Sequence, residues 1–413
     1  MKLNSKLLSA VALSVFSQAS NAIPFSFEGR SLGMGGASVA TADLASAAWA
    51  NPAMLTNQRP GDDFSLLIGV GAFLRDNEDL ITDIDSFQDA DEIRVAAKNS
   101  GDILAEAGAL LDMSSIIAGI DGKVIAPEAT GVVAMGIAFE SFAMAISVRA
   151  DVIAAGTVTD LSCSLVTDPT CDVVRLTSEI TSTNFNILNL EGLFATELGL
   201  SFAKDFQVFE RKVSIGIKPK IVELTSFTFR ESLLTVDAGL DTINKDDVET
   251  DIGTFATVDF GAAADVTESI RLGLSVRNLI TDDFAVDLGA INGVPLEAIL
   301  NFDTEARIGA AYHNDFVTVA VDFDLTENEP LLANPAFNKL TTQYLAVGAE
   351  FNAFDFMQLR VGAAKNLASG ISDGAKDVAY TAGLGFWLGF NLDIAATFND
   401  NEVGGFIQTG FRF

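Results

Sequence analysis

The stretch FVTVAVDFDL, Phe316 to Leu325, alternates strictly between apolar and smaller or polar positions. Val317, Val319, Val321, Phe323 and Leu325 fall on one face of an extended chain. Thr318, Ala320, Asp322 and Asp324 fall on the other, which is the period of two of a β-strand. An unbroken aliphatic row backed by two carboxylates suits a wall between lipid and water, and transmembrane barrel strands read this way in segments of about ten residues. Similar segments recur along most of the chain. They predict strands at 64–73, 129–139, 141–153, 186–204, 208–228, 253–266, 269–280, 301–313, 315–326, 341–352, 355–366, 377–388, 389–399 and 403–413. The resulting fourteen is an even number, as in bacterial outer-membrane barrels. Residues 173–183 offer one further strand. Connections at 313–315, 352–355 and 389–391 are tight, whereas 154–185, 229–252 and 281–300 read as long loops of the opposite rim. The expected fold is all-β: an antiparallel transmembrane β-barrel of about fourteen strands over residues 61–413.

One segment breaks the period. Residues 76–92 hold eight acids, and after them Ile103, Ala107, Leu110, Leu111 and Ile117 recur at helical spacing. One or two amphipathic helices are expected over 78–120, in an insertion of about 76–122 that either caps the barrel or lies at the membrane interface. The acids lack the spacing and central glycine of a calcium loop, so a solvated acidic face is the simpler reading. The last strand, GGFIQTGFRF, places Ile407, Thr409, Phe411 and Phe413 on one face. Phe411 and the terminal Phe413 resemble the signal by which barrel assembly machinery recognises outer-membrane barrels.

Composition supports segregated surfaces. The net charge is −31, yet 49% of residues are hydrophobic, and Phe (31) far outnumbers Trp (2), Tyr (3) and His (1); mean hydropathy is +0.34. Lys2 and Lys6, the apolar run Leu7 to Phe16 and Ser20-Asn21-Ala22 form a signal-peptide pattern over 1–22. Loss of the two lysines leaves 23 bases against 56 acids, a charge of −33, which argues against nucleic-acid partners. No later run holds the eighteen or so uninterrupted apolar residues of a membrane-spanning helix. Export with a barrel pattern points to the outer membrane of a Gram-negative bacterium. Cys163 and Cys171, in CSLVTDPTC, are expected to form a disulfide that staples a loop.

Between the export signal and the first strand lies GRSLGMGGASVATADLASAAWANPAML, Gly29 to Leu55. Its glycines lack the spacing and βαβ context of a phosphate loop. Small residues instead let backbones approach closely, and residues 23–60 are expected to form a hatch in the barrel lumen, with a periplasmic helix pair as the alternative. In the hatch, Gly33, Gly35 and Gly36 would allow close packing and Asp43 would cap a helix. Trp49 would fill the lumen, and Asn51-Pro52 would end the helix and fix the exit turn.

The elements Gly33 to Gly36, Asp43, Ala45 to Ala48, Trp49 and Asn51-Pro52-Ala53 resemble the N-terminal signature of FadL-like outer-membrane transport proteins. The helical insertion and DGKVIAP, Asp121 to Pro127, further resemble the exported branch known as conjugal transfer protein TraF. The resemblance implies a fourteen-stranded barrel with a lumen hatch. Through it, hydrophobic small molecules such as long-chain fatty acids pass from outside and leave sideways into the outer-membrane lipid, at a kink in the third strand. The matching strand here, 141–153, holds no glycine; Gly156 lies just beyond it. The branch name also implies an alternative, a non-transporting scaffold or partner of a conjugation or secretion apparatus. Arg307, Arg360 and Lys365 are expected on the lumen side, balanced by Glu305, Asp322 and Glu350 because buried charges need partners.

The pattern gives no catalytic site. The sole histidine, His313, sits in a predicted turn, and no G-x-S-x-G elbow occurs. A metal site would rest on carboxylates alone. The expected protein is not an enzyme and carries no cofactor or metal.

Overall fold

The structure, a computed structural model, describes residues 28–58, 63–76, 78–236, 250–291, 294–328, 341–354, 356–371 and 376–413. The expected signal peptide at 1–22 and hatch positions 23–27, 59 and 60 lie outside the described residues.

Fourteen strands close into one antiparallel barrel. They are β1 (Phe64–Arg75), β2 (Ala126–Ala138), β3 (Ala143–Thr159), β4 (Ile187–Val208), β5 (Arg211–Ser232), β6 (Thr250–Asp265), β7 (Ile270–Arg277), β10 (Glu305–His313), β11 (Val317–Asp324), β12 (Tyr344–Phe354), β13 (Met357–Asn366), β14 (Val378–Trp387), β15 (Asn391–Phe398) and β16 (Glu402–Arg412). Each pairs with its neighbour in chain order, β7 with β10, and β16 returns to β1. Every strand expected from the alternation is in the wall. The segment 281–300 is a two-stranded sheet of β8 (Asp282–Ile291) and β9 (Val294–Phe302), not an open loop. Residues 173–183 are not a strand: Val173–Ile180 is helix α5, in which Leu176 and Ile180 are buried one turn apart and the Asp172 carboxylate accepts the Arg175 N–H at 2.8 Å.

Alternation sorts the wall. Val319 and Val321 of β11 are exposed on the outside, while Asp322 and Asp324 are buried within. The same holds for Ile146 and Val148 of β3 and for Ile215 and Ile217 of β5, so the outer surface is an apolar band suited to hydrocarbon. Six connections of two to four residues lie at one rim. Phe139, Phe142, Phe209, Phe316, Phe354 and Phe356 gather there, exposed. Short turns and an aromatic girdle mark the periplasmic rim. Phe413 closes the ladder here, exchanging backbone hydrogen bonds with Phe64 and stacking on it with ring centroids 4.9 Å apart.

The long connections form the opposite, external rim. Residues 80–120 are two helices, α3 (Leu80–Ser100) and α4 (Ile103–Ile120), turned at Gly101 (φ 75°) and capped at α4 by Asp102. Their facing sides pack with α5 and the segment around Cys163, which is disulfide-bonded to Cys171.

Candidate functional site

The segment 28–58 lies inside the barrel and touches the wall almost all the way round. It comprises α1 (Gly29–Gly33), α2 (Ala47–Ala50) and a 3₁₀ turn, Pro52–Thr56. Contact is made where wall strands carry lumen-facing glycines. Backbone of Met34 and Gly35 lies on Gly348 and Gly362, Val39 on Gly273, Leu44 on Gly136, and Asn51 to Ala53 on Gly216 and Gly261. A Cβ at Gly216, Gly348 or Gly362 would come within 2.3 Å of segment backbone atoms. These glycines lie within about six residues of the short-turn ends of their strands, so the segment fills the periplasmic half of the lumen.

Polar contacts fasten it. Gly35, with φ 71°, donates its N–H to Thr381 Oγ1 at 2.9 Å. Asp322 Oδ2 accepts the N–H groups of Ser38 (2.7 Å) and Val39 (2.9 Å). Gly29 N–H donates to Gln408 Oε1 at 2.8 Å, and Asn51 Nδ2 donates to the Ala262 carbonyl at 3.1 Å. Arg30 forms a bidentate pair with Glu350, Nε to Oε2 at 2.8 Å and Nη2 to Oε1 at 3.0 Å. Glu350 also accepts Arg360 Nε at 2.7 Å, and Arg360 reaches Asp393.

The hatch residues singled out by sequence all lie in this segment. Gly33 ends α1, and Gly36 takes a positive φ of 89° as its carbonyl accepts Arg307 Nη1 at 3.3 Å. Trp49 is buried in an apolar cluster with Leu44, Met54 and wall residues of β1–β6. Asn51 ends α2 and caps the following 3₁₀ turn, its Oδ1 accepting the Ala53 N–H, with Pro52 at the first position of that turn. Asp43 holds the turn that leads into α2: its carboxylate accepts from Ser46 N and Oγ and its carbonyl accepts the Ala47 N–H at 2.8 Å, while Ser46, the N-cap residue of α2, makes no side-chain cap of its own. Lys365 faces outward, on the same side of β13 as Val361; Arg360, an odd number of residues away, faces the lumen. Arg307 pairs with Asp324, and Asp322 Oδ2 accepts segment N–H groups. Glu305 pairs with Arg277 at 3.0 Å.

Above the segment the lumen is layered. A belt of charge crosses β3 to β11: Arg149–Asp151, Lys220 between Glu197 and Asp259 (2.9 Å each), Lys218–Glu197, Arg277–Glu305 and Arg307–Asp324. Each member is buried and paired, as a low-dielectric interior requires. Farther toward the outside, lumen-facing Ile153, Leu193, Val222, Leu224 and Phe255 form an apolar sector. Below the segment, a polar cavity of about 200 Å³ faces the periplasmic rim, lined by Glu28, Asp43, Arg271, His313 and Arg412 among others. His313 thus ends β10 at this mouth.

The third strand is intact. β3 keeps one register with β2 from Ala143 to Ile153, continued by the Ile125–Gly156 bridge, and one register with β4 throughout. The opening implied at that strand is absent from this structure. The ladder is interrupted instead between β4 and β5, where neither Leu200–Pro219 nor Ser201–Lys218 is paired although the flanking register is unchanged. Pro219 has no N–H to donate, and sequence reasoning passed over it.

Solved structures with this fold include two toluene transporters and a FadL homologue. The Ralstonia pickettii toluene transporter TbuX is 13% identical with TM-score 0.54, covering 95% of this chain and 99% of that one. A Pseudomonas aeruginosa FadL homologue is 12% identical with TM-score 0.53 and coverages of 95% and 99%. The P. putida toluene transporter TodX is 11% identical with TM-score 0.51 and coverages of 94% and 99%. No curated protein sequence matches. The family model for the F plasmid transfer operon TraF protein matches residues 48–324, from the end of the lumen segment through β11. An outer-membrane barrel of the FadL-like fold, filled by its own N-terminal segment, the chain belongs to the TraF family of the F plasmid transfer operon.

Proposed function

We propose that the protein is a passive outer-membrane channel for hydrophobic solutes, closed toward the periplasm by residues 28–58 acting as a hatch. The observation that carries this reading is the layering of the lumen: an apolar sector toward the outside, then a charge belt, then a filled periplasmic half. A hydrophobic solute gains by leaving water for the apolar sector. The hatch opposes its onward passage to the periplasm, so exit runs sideways into the bilayer at the level of the charge belt, where the β4–β5 ladder is interrupted beside Pro219. Barrels of this fold include the toluene transporters TbuX and TodX and a FadL homologue, which supports a hydrophobic solute. Long-chain fatty acids are the substrate class proposed first. No covalent step is involved; binding and diffusion suffice.

The test is equilibrium binding of a fluorescent long-chain fatty acid to the purified barrel in nanodiscs, with toluene as competitor. Binding weakened at least tenfold by Leu193→Lys supports the reading, and binding unaffected by it refutes the apolar sector as the site.

The closed lumen equally suits a second reading, a non-transporting scaffold for a conjugation or secretion apparatus, consistent with the family's name. A partner that co-purifies with the full chain and is lost on deleting 76–120 would favour it.

A further inference from the structure

The helical insertion stands on the outer side of the barrel wall. In β3 the residues facing lipid are even-numbered, Ile146 and Val148 among them, and the constant register with β4 carries that face up to Val158. Val158 is nonetheless buried, and so are Ile125 beside it and Leu188 of β4. All three pack in one cluster with Leu80 and Phe87 of α3 and Leu110, Met113 and Ile117 of α4. The outward row therefore passes from the lipid-exposed band directly into the seat of α3 and α4, with Ala154 already buried a short way above Val148. The helices sit beside the lipid band, not over the lumen mouth.

The two helices present different free surfaces. On α3 the side away from the cluster carries Asp85, Asp89 and Glu92. On α4 it carries Leu104, Ala107, Leu111 and Ser115, spaced three and four apart along one uncharged stripe, with Asp112 exposed at its edge. Leu104 is 87% exposed and Leu111 54%. α4 is long and apolar enough to cross a membrane, yet only 33% of it is buried in the protein. Exposed apolar surface of this extent on one helix marks an interaction site.

We propose that α4 lies in the outer leaflet, its Leu104–Leu111 stripe among the acyl chains and the acidic side of α3 toward water. The occupant is argued from continuity: the apolar band that the barrel turns to lipid runs without a break into the place where the helices attach. This arrangement is that of an interfacial amphipathic helix, buried about 5–10 Å into the headgroup and acyl boundary. It anchors the external rim at the level of the bilayer and holds the β2–β4 wall against it.

Site-directed spin labelling tests this in the full-length barrel, reconstituted in phosphatidylcholine vesicles with its disulfide intact. Labels are placed by Leu104→Cys, Leu111→Cys, Glu92→Cys on the acidic side and Val321→Cys in the lipid band. Each variant is first shown to be a heat-modifiable barrel, and Ala107→Cys replaces any stripe variant that is not. Collision with oxygen is compared with collision with a water-soluble nickel chelate. The expected result is a lipid-like ratio at 104 and 111, at least fivefold above that at 92 and approaching that at 321. A water-like ratio at 104 and 111 overturns the proposal. So does immobilisation with neither quencher reaching the label, which would mean a protein partner or a second copy covers the stripe.

Discussion

Gly35→Ala is the most economical way to ask whether the lumen segment is a seated hatch. The backbone at Gly35 is left-handed, which costs an L-residue about 1–2 kcal/mol. The added Cβ would lie 2.6 Å from the Ala363 carbonyl oxygen and 2.7 Å from that of Val347. Both are backbone atoms of paired wall strands and cannot yield, so the segment must lift off the wall by roughly half an ångström or more, an overpacking cost of about 1–3 kcal/mol. That shift weakens the Gly35–Thr381 hydrogen bond, worth about 0.5–1.5 kcal/mol. Together these come to about 3–6 kcal/mol against the seated state, which raises the unseated fraction by roughly two to four powers of ten. The barrel's own ladder is untouched. The assay is paired: heat-modifiability for the barrel, and for the hatch, limited proteolysis of the N-terminal segment alongside ion conductance in planar bilayers. Gly131→Ala, where a Cβ would meet nothing within 4 Å, is the control. The variant should fold as a barrel, lose N-terminal protection and conduct more than wild type. Unchanged protection and conductance would refute the reasoning.

Other predictions follow from the same contacts. Glu350→Gln leaves Arg30 and Arg360 buried without their shared carboxylate, a loss of about 3–5 kcal/mol; the hatch should become protease-sensitive while the barrel persists, as read by gel shift. Pro219→Val restores a donor to the β4–β5 ladder, worth about 1 kcal/mol, and should lower solute uptake at equal barrel abundance; unchanged uptake would move the exit elsewhere. Cys163→Ala removes a short-loop disulfide worth about 2–3 kcal/mol, and should expose the loop at 160–172 to protease without altering the barrel's heat-modifiability. Deleting Phe413 removes both the backbone pairing and the ring stack with Phe64 at barrel closure, so membrane assembly should slow, measured by pulse-chase conversion to the heat-modifiable form.

Much of the wall is legible in the sequence because its alternation is local. Val319 and Asp322 announce opposite faces without knowledge of any partner. Parity also exposes an error: Arg360 and Lys365 are five residues apart on one strand, so they cannot both face the lumen. The β8–β9 hairpin was marked by Asn292-Gly293 between alternating segments, a hairpin signal that the long-loop reading passed over. Residues 173–183 were expected as one further strand, whereas Asp172 and the Leu176–Ile180 spacing favour the helix that forms. The site is less legible. Gly35 and Asn51 stand out in the N-terminal stretch, but their seats, Gly362 and Gly261, are ordinary strand glycines until the barrel closes. The pairing of Asp322 with segment N–H groups and of Arg30 with Glu350 joins residues about three hundred positions apart, which no local pattern encodes.

The central claim is that this closed-looking barrel passes hydrophobic solutes. Its most direct measurement is uptake of a labelled long-chain fatty acid by a Gram-negative host lacking its own transporter, comparing the wild-type barrel with empty vector at verified outer-membrane abundance. The account predicts uptake several-fold above vector, with no accompanying gain in permeability to small hydrophilic dyes. Uptake equal to vector from a correctly folded barrel, with toluene uptake also at the vector level, would contradict it.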